Sequence, residues 1–171
     1  MATVLMIIAP ERFRDEELFV TQEELEKAGH TTVMASLVKG ICGGSRGGHA
    51  VATLTLADIH VEDYDAVVFV GGGGSKVYFA NSEALRIAQE MNDSGKVTAA
   101  ICLAPVILAN GGVLKGKRAT VAGTEAKTIE NKGATYTGPG VMVDGNIVTG
   151  NGPKSSRLFG QKIVELLEAR G

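Results

Sequence analysis

Cys102 is the residue of this chain best set for chemistry. It stands in Ala99-Ala100-Ile101-Cys102-Leu103-Ala104-Pro105, at the joint between a strand-like run and a helix opening on proline. Ala100 and Ala104 lie two residues to either side. A strained strand-to-helix turn needs small residues there, because the turn brings them close together. Pro105 suits a first helical turn, where its missing N–H costs nothing. A thiol facing the unpaired N–H groups of a helix start is expected to ionise below its ordinary pKa of about 8.5. The other reading of the same segment is an ordinary buried cysteine.

Few other residues offer chemistry. The histidines are His30, His49 and His60. With Cys42 and Cys102 they form no metal-ligand spacing. Cys42 lies in a glycine-rich stretch read as a flexible loop, without a helix behind it, and is taken as incidental. Gly71 to Gly74 follows a strand but does not complete a dinucleotide fingerprint. Gly111 to Lys117 resembles the front of a phosphate loop, yet Arg118 replaces the Ser or Thr that holds magnesium. Asp144-Gly145-Asn146 is too short for a calcium loop. No cofactor or metal is expected.

The elements that must position Cys102 alternate between strand and helix. Thr3 to Ala9 is a near-continuous apolar run, as in a strand buried on both faces. Asp15 to Gly29 reads as a helix with Leu18, Phe19 and Leu25 on its apolar face. Thr31 to Ser36 is a second strand, Gly40 to Gly48 a loop, and Ala50 to Ile59 a hairpin or edge strand. Asp65 to Val70 and Lys96 to Ile101 are buried strands. Helices are expected over Ser82 to Met91, Pro105 to Asn110, Thr124 to Asn131 and Ser155 to Arg170. Arg118 to Val121 is a short strand. Val141 to Thr149 is a hairpin turning at Asp144-Gly145. The pattern predicts one α/β domain over residues 1–171, with a mostly parallel sheet and helices on both faces.

Composition narrows the function classes. Of 171 residues, 44% are hydrophobic but only 5% aromatic, so the core must be aliphatic. A net charge of −2 argues against a nucleic-acid footprint. The longest apolar run, Val97 to Ala109, is short of the roughly 20 residues that cross a bilayer. The N-terminal run lacks the flanks of a signal peptide, and two cysteines make no disulfide framework. The expected setting is a reducing cytoplasm.

Four segments together are similar to the PfpI superfamily, which spans intracellular cysteine peptidases and protein deglycases on a class I glutamine-amidotransferase-like fold. They are Ala9-Pro10-Glu11 through Glu17-Leu18, Val70-Gly71-Gly72, Ala100 to Pro105, and Asn151-Gly152-Pro153. The resemblance implies a flavodoxin-like three-layer sandwich and a homodimer or higher homo-oligomer. It makes Cys102 the elbow nucleophile and Glu17 its acidic partner, with the amides of Gly72 and Leu103 as the anion pocket. Read alone, Glu17 is more simply a solvated charge in the acidic run Asp15-Glu16-Glu17, since acidic residues belong in a first helical turn. Arg46 resembles a family arginine that approaches from the partner subunit, and His49 lies close enough in sequence to accompany it. Otherwise Arg46 is a surface residue.

The chain departs from that pattern in places. Leu103 stands where the peptidase branch has the histidine after its nucleophile, and Lys76 where some peptidases supply an acid. Thr120-Val121-Ala122-Gly123 lacks a histidine frequent in the deglycase branch. The resemblance therefore implies either thiol chemistry on small carbonyl compounds, of glyoxalase or deglycase type, or redox sensing through peroxide oxidation of Cys102. Peptidase or amidase activity ranks behind both, because a Cys–His mechanism without histidine has no proton shuttle.

Overall fold

The computed structural model describes residues 1–170. In chain order the elements are β1 (Thr3–Ile7), β2 (Glu11–Phe13), α1 (Asp15–Lys27), β3 (Thr31–Ser36), β4 (Gly40–Gly44), β5 (His49–Ala52), β6 (Leu54–Thr55) and β7 (Ala66–Phe69). There follow α2 (Ser82–Asp93), β8 (Val97–Ile101), α3 (Pro105–Asn110), β9 (Arg118–Ala119), α4 (Ala126–Asn131), β10 (Thr135–Tyr136), β11 (Val141–Asp144), β12 (Ile147–Gly150) and α5 (Ser156–Arg170).

The central sheet has the order β11-β12-β8-β7-β1-β3-β6. Every neighbouring pair is parallel except the hairpin β11–β12. Along β1, Leu5 and Ile7 enter one core layer while Val4 and Met6 enter the other. Both faces are therefore buried, and each such side chain contributes roughly 1.5–3 kcal/mol. Leu18, Leu25, Phe159 and Ile163 of α1 and α5 cover one face. Ile87 and Met91 of α2, Ile107 of α3 and Ile129 of α4 cover the other. This is the expected α/β three-layer sandwich.

From β1 the chain crosses by α1 to β3; from β7 it crosses by α2, on the opposite face, to β8. The carboxyl ends of β1 and β7 thus flank a switch point, where doubly wound sheets open a crevice. Glu17 follows β1, Gly71 follows β7, and Cys102 follows β8.

Two expectations are corrected. The Gly40 to Gly48 stretch is not a loop. It forms β4 and the turn into β5, and β4 pairs parallel with β2 and antiparallel with β5. Two of its glycines, Gly44 and Gly48, reflect close approach rather than flexibility. A Cβ on Gly44 or Gly48 would lie 2.4 or 2.6 Å from a carboxylate oxygen of Asp15. Cys42 is consequently a buried strand residue with its sulfur toward the Gly40 carbonyl. The buried face of α1 also differs: it carries Glu17, Leu18, Thr21, Glu24 and Leu25. Phe19 is partly exposed and meets Phe13 edge-on at 6.0 Å.

Candidate active site

Cys102 has φ 66°, one of two positive values outside glycine among the described residues. A side chain in that region costs on the order of 1–3 kcal/mol, and the surroundings must enforce it. Here the peptide is pinned on both sides. The Cys102 N–H donates to the Gly150 carbonyl at 2.9 Å, and its carbonyl accepts from Ala122 N–H at 2.7 Å. Ala100 and Ala104, both fully buried, leave room for the turn. The sulfur is thereby lifted out of the sheet into a partly exposed position.

Glu17 reaches that sulfur from the first turn of α1. It is fully buried, and neither carboxyl oxygen has a hydrogen-bond partner in good geometry. Burial pushes its pKa up to about 8; the thiol, the Arg14 charge and the Gly71 amide pull it back only in part. Glu17 is accordingly a neutral acid at pH 7. An ordinary solvated first-turn carboxylate would not be.

The thiol does not follow the expectation of a lowered pKa. Burial, then the Glu17 charge, push it up to about 11, against the N–H groups of Gly72 and Leu103, which favour the anion. The following helix is weak support, since α3 has only six residues. Two like charges cannot share this buried space, so the pair holds at least one proton across the neutral range. Once one proton leaves, sulfur is the better seat for the charge. Two amides, those of Gly72 and Leu103, favour charge on sulfur, whereas only that of Gly71 favours it on the carboxylate.

The glycine loop after β7 makes this packing possible. A Cβ on Gly72 (φ 101°) would lie 2.5 Å from Arg14 N and 2.7 Å from the Arg12 carbonyl oxygen. Gly71 accepts from Arg14 N–H at 3.0 Å, locking the loop to the start of α1. The structure thus brings Cys102, Glu17, Gly72 and Leu103 together within one chain.

Arg46 and His49 lie elsewhere. Arg46 occupies the β4–β5 turn, where Asp15 accepts its N–H at 2.8 Å and that of Gly48 at 2.7 Å. His49 is exposed on β5. Neither is among the groups acting on Cys102. His30 sits at the opposite end of the sheet, accepting from Ala2 N–H, and His60 lies at the surface near Glu62.

Two contributors escaped the sequence reading. Arg14 pairs with Glu16 through two 3.0 Å hydrogen bonds, and its charge bears on Glu17 and Cys102. Its one signal was a cation beside an acidic run. With Glu16 and the Asn151 to Lys154 loop it lines an open cleft that begins one residue beyond Gly150. The second contributor, Gly71, was hidden in a plain glycine run. Among the described residues, no cluster of His, Cys, Asp and Glu could hold a metal ion, and no helix is long and apolar enough to cross a membrane.

A family model described as DJ-1/PfpI family matches residues 2–166. An uncharacterized protein of Methanocaldococcus jannaschii is 42% identical over 98% of this chain and 83% of its own length. The protein named Deglycase PfpI in Pyrococcus furiosus is 31% identical over 96% of this chain and 99% of its own. Among solved structures, a ThiJ/PfpI domain protein from Brachyspira murdochii superposes with TM-score 0.96 at 31% identity, covering 98% of this chain and 96% of that one. Drosophila melanogaster DJ-1beta does so with TM-score 0.88 at 29% identity, covering 97% and 90%.

Proposed function

The chain belongs to the DJ-1/PfpI family, and from that premise we propose that it uses Cys102 on small carbonyl compounds, as a deglycase or glyoxalase. The observation that carries this reading is a buried, neutral Glu17 set against a strained, partly exposed thiol. Relatives named deglycases, matched along nearly their whole length, support the same chemistry.

With a 2-oxoaldehyde, Cys102 sulfur adds to the aldehyde carbon, and the resulting alkoxide takes the proton of Glu17. The amides of Gly72 and Leu103 stabilise negative charge as it leaves sulfur for oxygen. Glu17, now a carboxylate, removes the hydrogen on the sulfur-bearing carbon and returns a proton to the neighbouring carbon, while the hydroxyl proton passes from the first oxygen to the second and leaves a thioester. One carbon is oxidised as the other is reduced, so no external redox cofactor is required. Water then cleaves the thioester to a 2-hydroxy acid and the free thiol. Methylglyoxal should give lactate with the native protein and none with Cys102→Ser. Absence of lactate from the native protein would reject the reading.

A second reading rests on the same sulfur. Peroxide oxidises the thiolate to sulfenate and a second equivalent takes it to sulfinate, each step releasing water or hydroxide. The two amides and the Glu17 proton suit the sulfinate oxygens, which supports redox sensing during stress. A mass gain of two oxygens confined to Cys102 after mild peroxide tests it; unmodified protein would reject it. Peptidase chemistry is disfavoured, because Leu103 follows the nucleophile and no histidine of the same chain acts on the sulfur.

The assembly we infer is a homodimer. Ile41 and Val51 pair across β4 and β5 with 75% and 58% of their surfaces exposed. Strand alternation puts His49 on that same outer face, and the hairpin turn carries Arg46. A second copy covering this apolar pair supports an approach of Arg46 and His49 to the neighbouring site.

A further inference from the structure

The face that α1 turns to α5 is partly polar. Glu17, Thr21 and Glu24, spaced by four and three residues, are all buried there. Glu24 is paired with Lys27 and Arg157. Glu17 and Thr21 are not satisfied in this way. Both Glu17 carboxyl oxygens and Thr21 Oγ1 lack a partner in good geometry, and so does Ser156 Oγ, at the start of α5. All three residues are essentially inaccessible.

The two helices run in the same direction. Arg157 meets Glu23 and Glu24, while Lys27 and Ala28 share a groove with Gln161, Val164 and Glu165 further along. They touch at Gly160, where a Cβ would lie 2.9 Å from Glu24 Cβ and 3.4 Å from Thr21 Cα. Ser156 precedes Gly160 by one turn on the same face. It is therefore level with the turn of α1 that carries Glu17 and Thr21.

Four unpartnered buried oxygens on one facing turn are costly, at about 1–3 kcal/mol for each group left unsatisfied. Folded proteins relieve such clusters with enclosed water making about three hydrogen bonds. We propose that Thr21 and Ser156 are positioning residues for Glu17, acting through ordered water enclosed between α1 and α5. Each residue of the cluster gains a partner. Water donates to the Glu17 carbonyl oxygen and to Ser156 Oγ, and accepts from the Thr21 hydroxyl. With its carbonyl oxygen held, the carboxyl group turns its acidic O–H toward Cys102. The inference rests on the reading of Glu17 as a protonated partner of the thiol.

A crystal structure resolving ordered water should show it within hydrogen-bond reach of Glu17, Thr21 and Ser156. A dry contact, with the side chains bonded to one another or to backbone, would overturn the proposal. Infrared difference spectra test the positioning role. The protonated-carboxyl band lost in Glu17→Gln should move to higher frequency in Thr21→Val and stay in place in Thr21→Ser. Ser156→Ala should reproduce the Thr21→Val shift if that variant folds poorly. An unmoved band in the folded variants would overturn the role. If Glu17→Gln removes no such band, the protonated-partner reading itself falls and the proposal with it; a band without water removes the proposal alone.

Discussion

Gly71 lies between Glu17 and Cys102. A Cβ at Gly71 would stand 2.5 Å from Glu17 Oε1, 2.6 Å from Cys102 Cβ and 2.4 Å from the Ile101 carbonyl oxygen. None of these is the far end of a flexible surface side chain, so the acid and the thiol can meet only across a glycine. Gly71→Ala is expected to force them apart. Cys102 alkylation should lose its dependence on Glu17, and stability should fall by about 1–3 kcal/mol from overpacking. Alkylation kinetics and thermal unfolding of that single variant check both.

Glu17 makes stability depend on pH. Its pKa rises on folding from the ordinary 4.5 to about 8. The folded state therefore holds a proton that the unfolded chain releases. The associated stability is fully present below about 4.5 and is lost as pH rises through about 8. Glu17→Gln should flatten this slope and raise the unfolding temperature most near pH 8, an effect of up to about 4 kcal/mol. Melting curves between pH 4.5 and 8 would contradict the assignment if native protein and variant ran parallel.

Cys102 is held at positive φ, where a Cβ is strained. Cys102→Gly should therefore be more stable than Cys102→Ala by about 1 kcal/mol. Denaturant unfolding of the two variants measures the difference, and equal stabilities would show an unstrained turn.

The outer face of the β4–β5 hairpin is expected to bury itself against a second copy. Val51→Lys should weaken the dimer and leave the monomer folded, since Val51 is exposed within the chain. Sedimentation across a concentration series checks this. An unchanged association state would place the interface elsewhere.

Much of the fold was legible because its signals are local. Thr31 to Ser36 and Pro105 to Asn110 match their elements residue for residue. The Asp144-Gly145 turn lies where expected between β11 and β12. The hairpin of β4 and β5 was not legible: glycine reads as loop by propensity, whereas here it makes room for the Asp15 carboxylate. The exposed Phe19 and the buried Thr21 reversed a simple apolar-face reading, because α5 offers α1 Ser156, Gly160 and Arg157 rather than a purely aliphatic surface. At the site, Cys102 announced itself through Ala100, Ala104 and Pro105. The raised thiol pKa did not, because desolvation depends on neighbours distant in sequence. Arg14 was overlooked for a similar reason: its reach toward Cys102 needs the β1–α1 connection held against the glycine loop after β7.

Cys102 and Glu17 share protons, and the pH profile of Cys102 alkylation tests that most directly. The native thiol should gain reactivity in two steps, near 8 and toward 11, because both losses belong to the pair and sulfur carries only part of the charge left by the first. Glu17→Gln should collapse the profile to a single step. Superimposable profiles for native protein and variant would contradict the coupling.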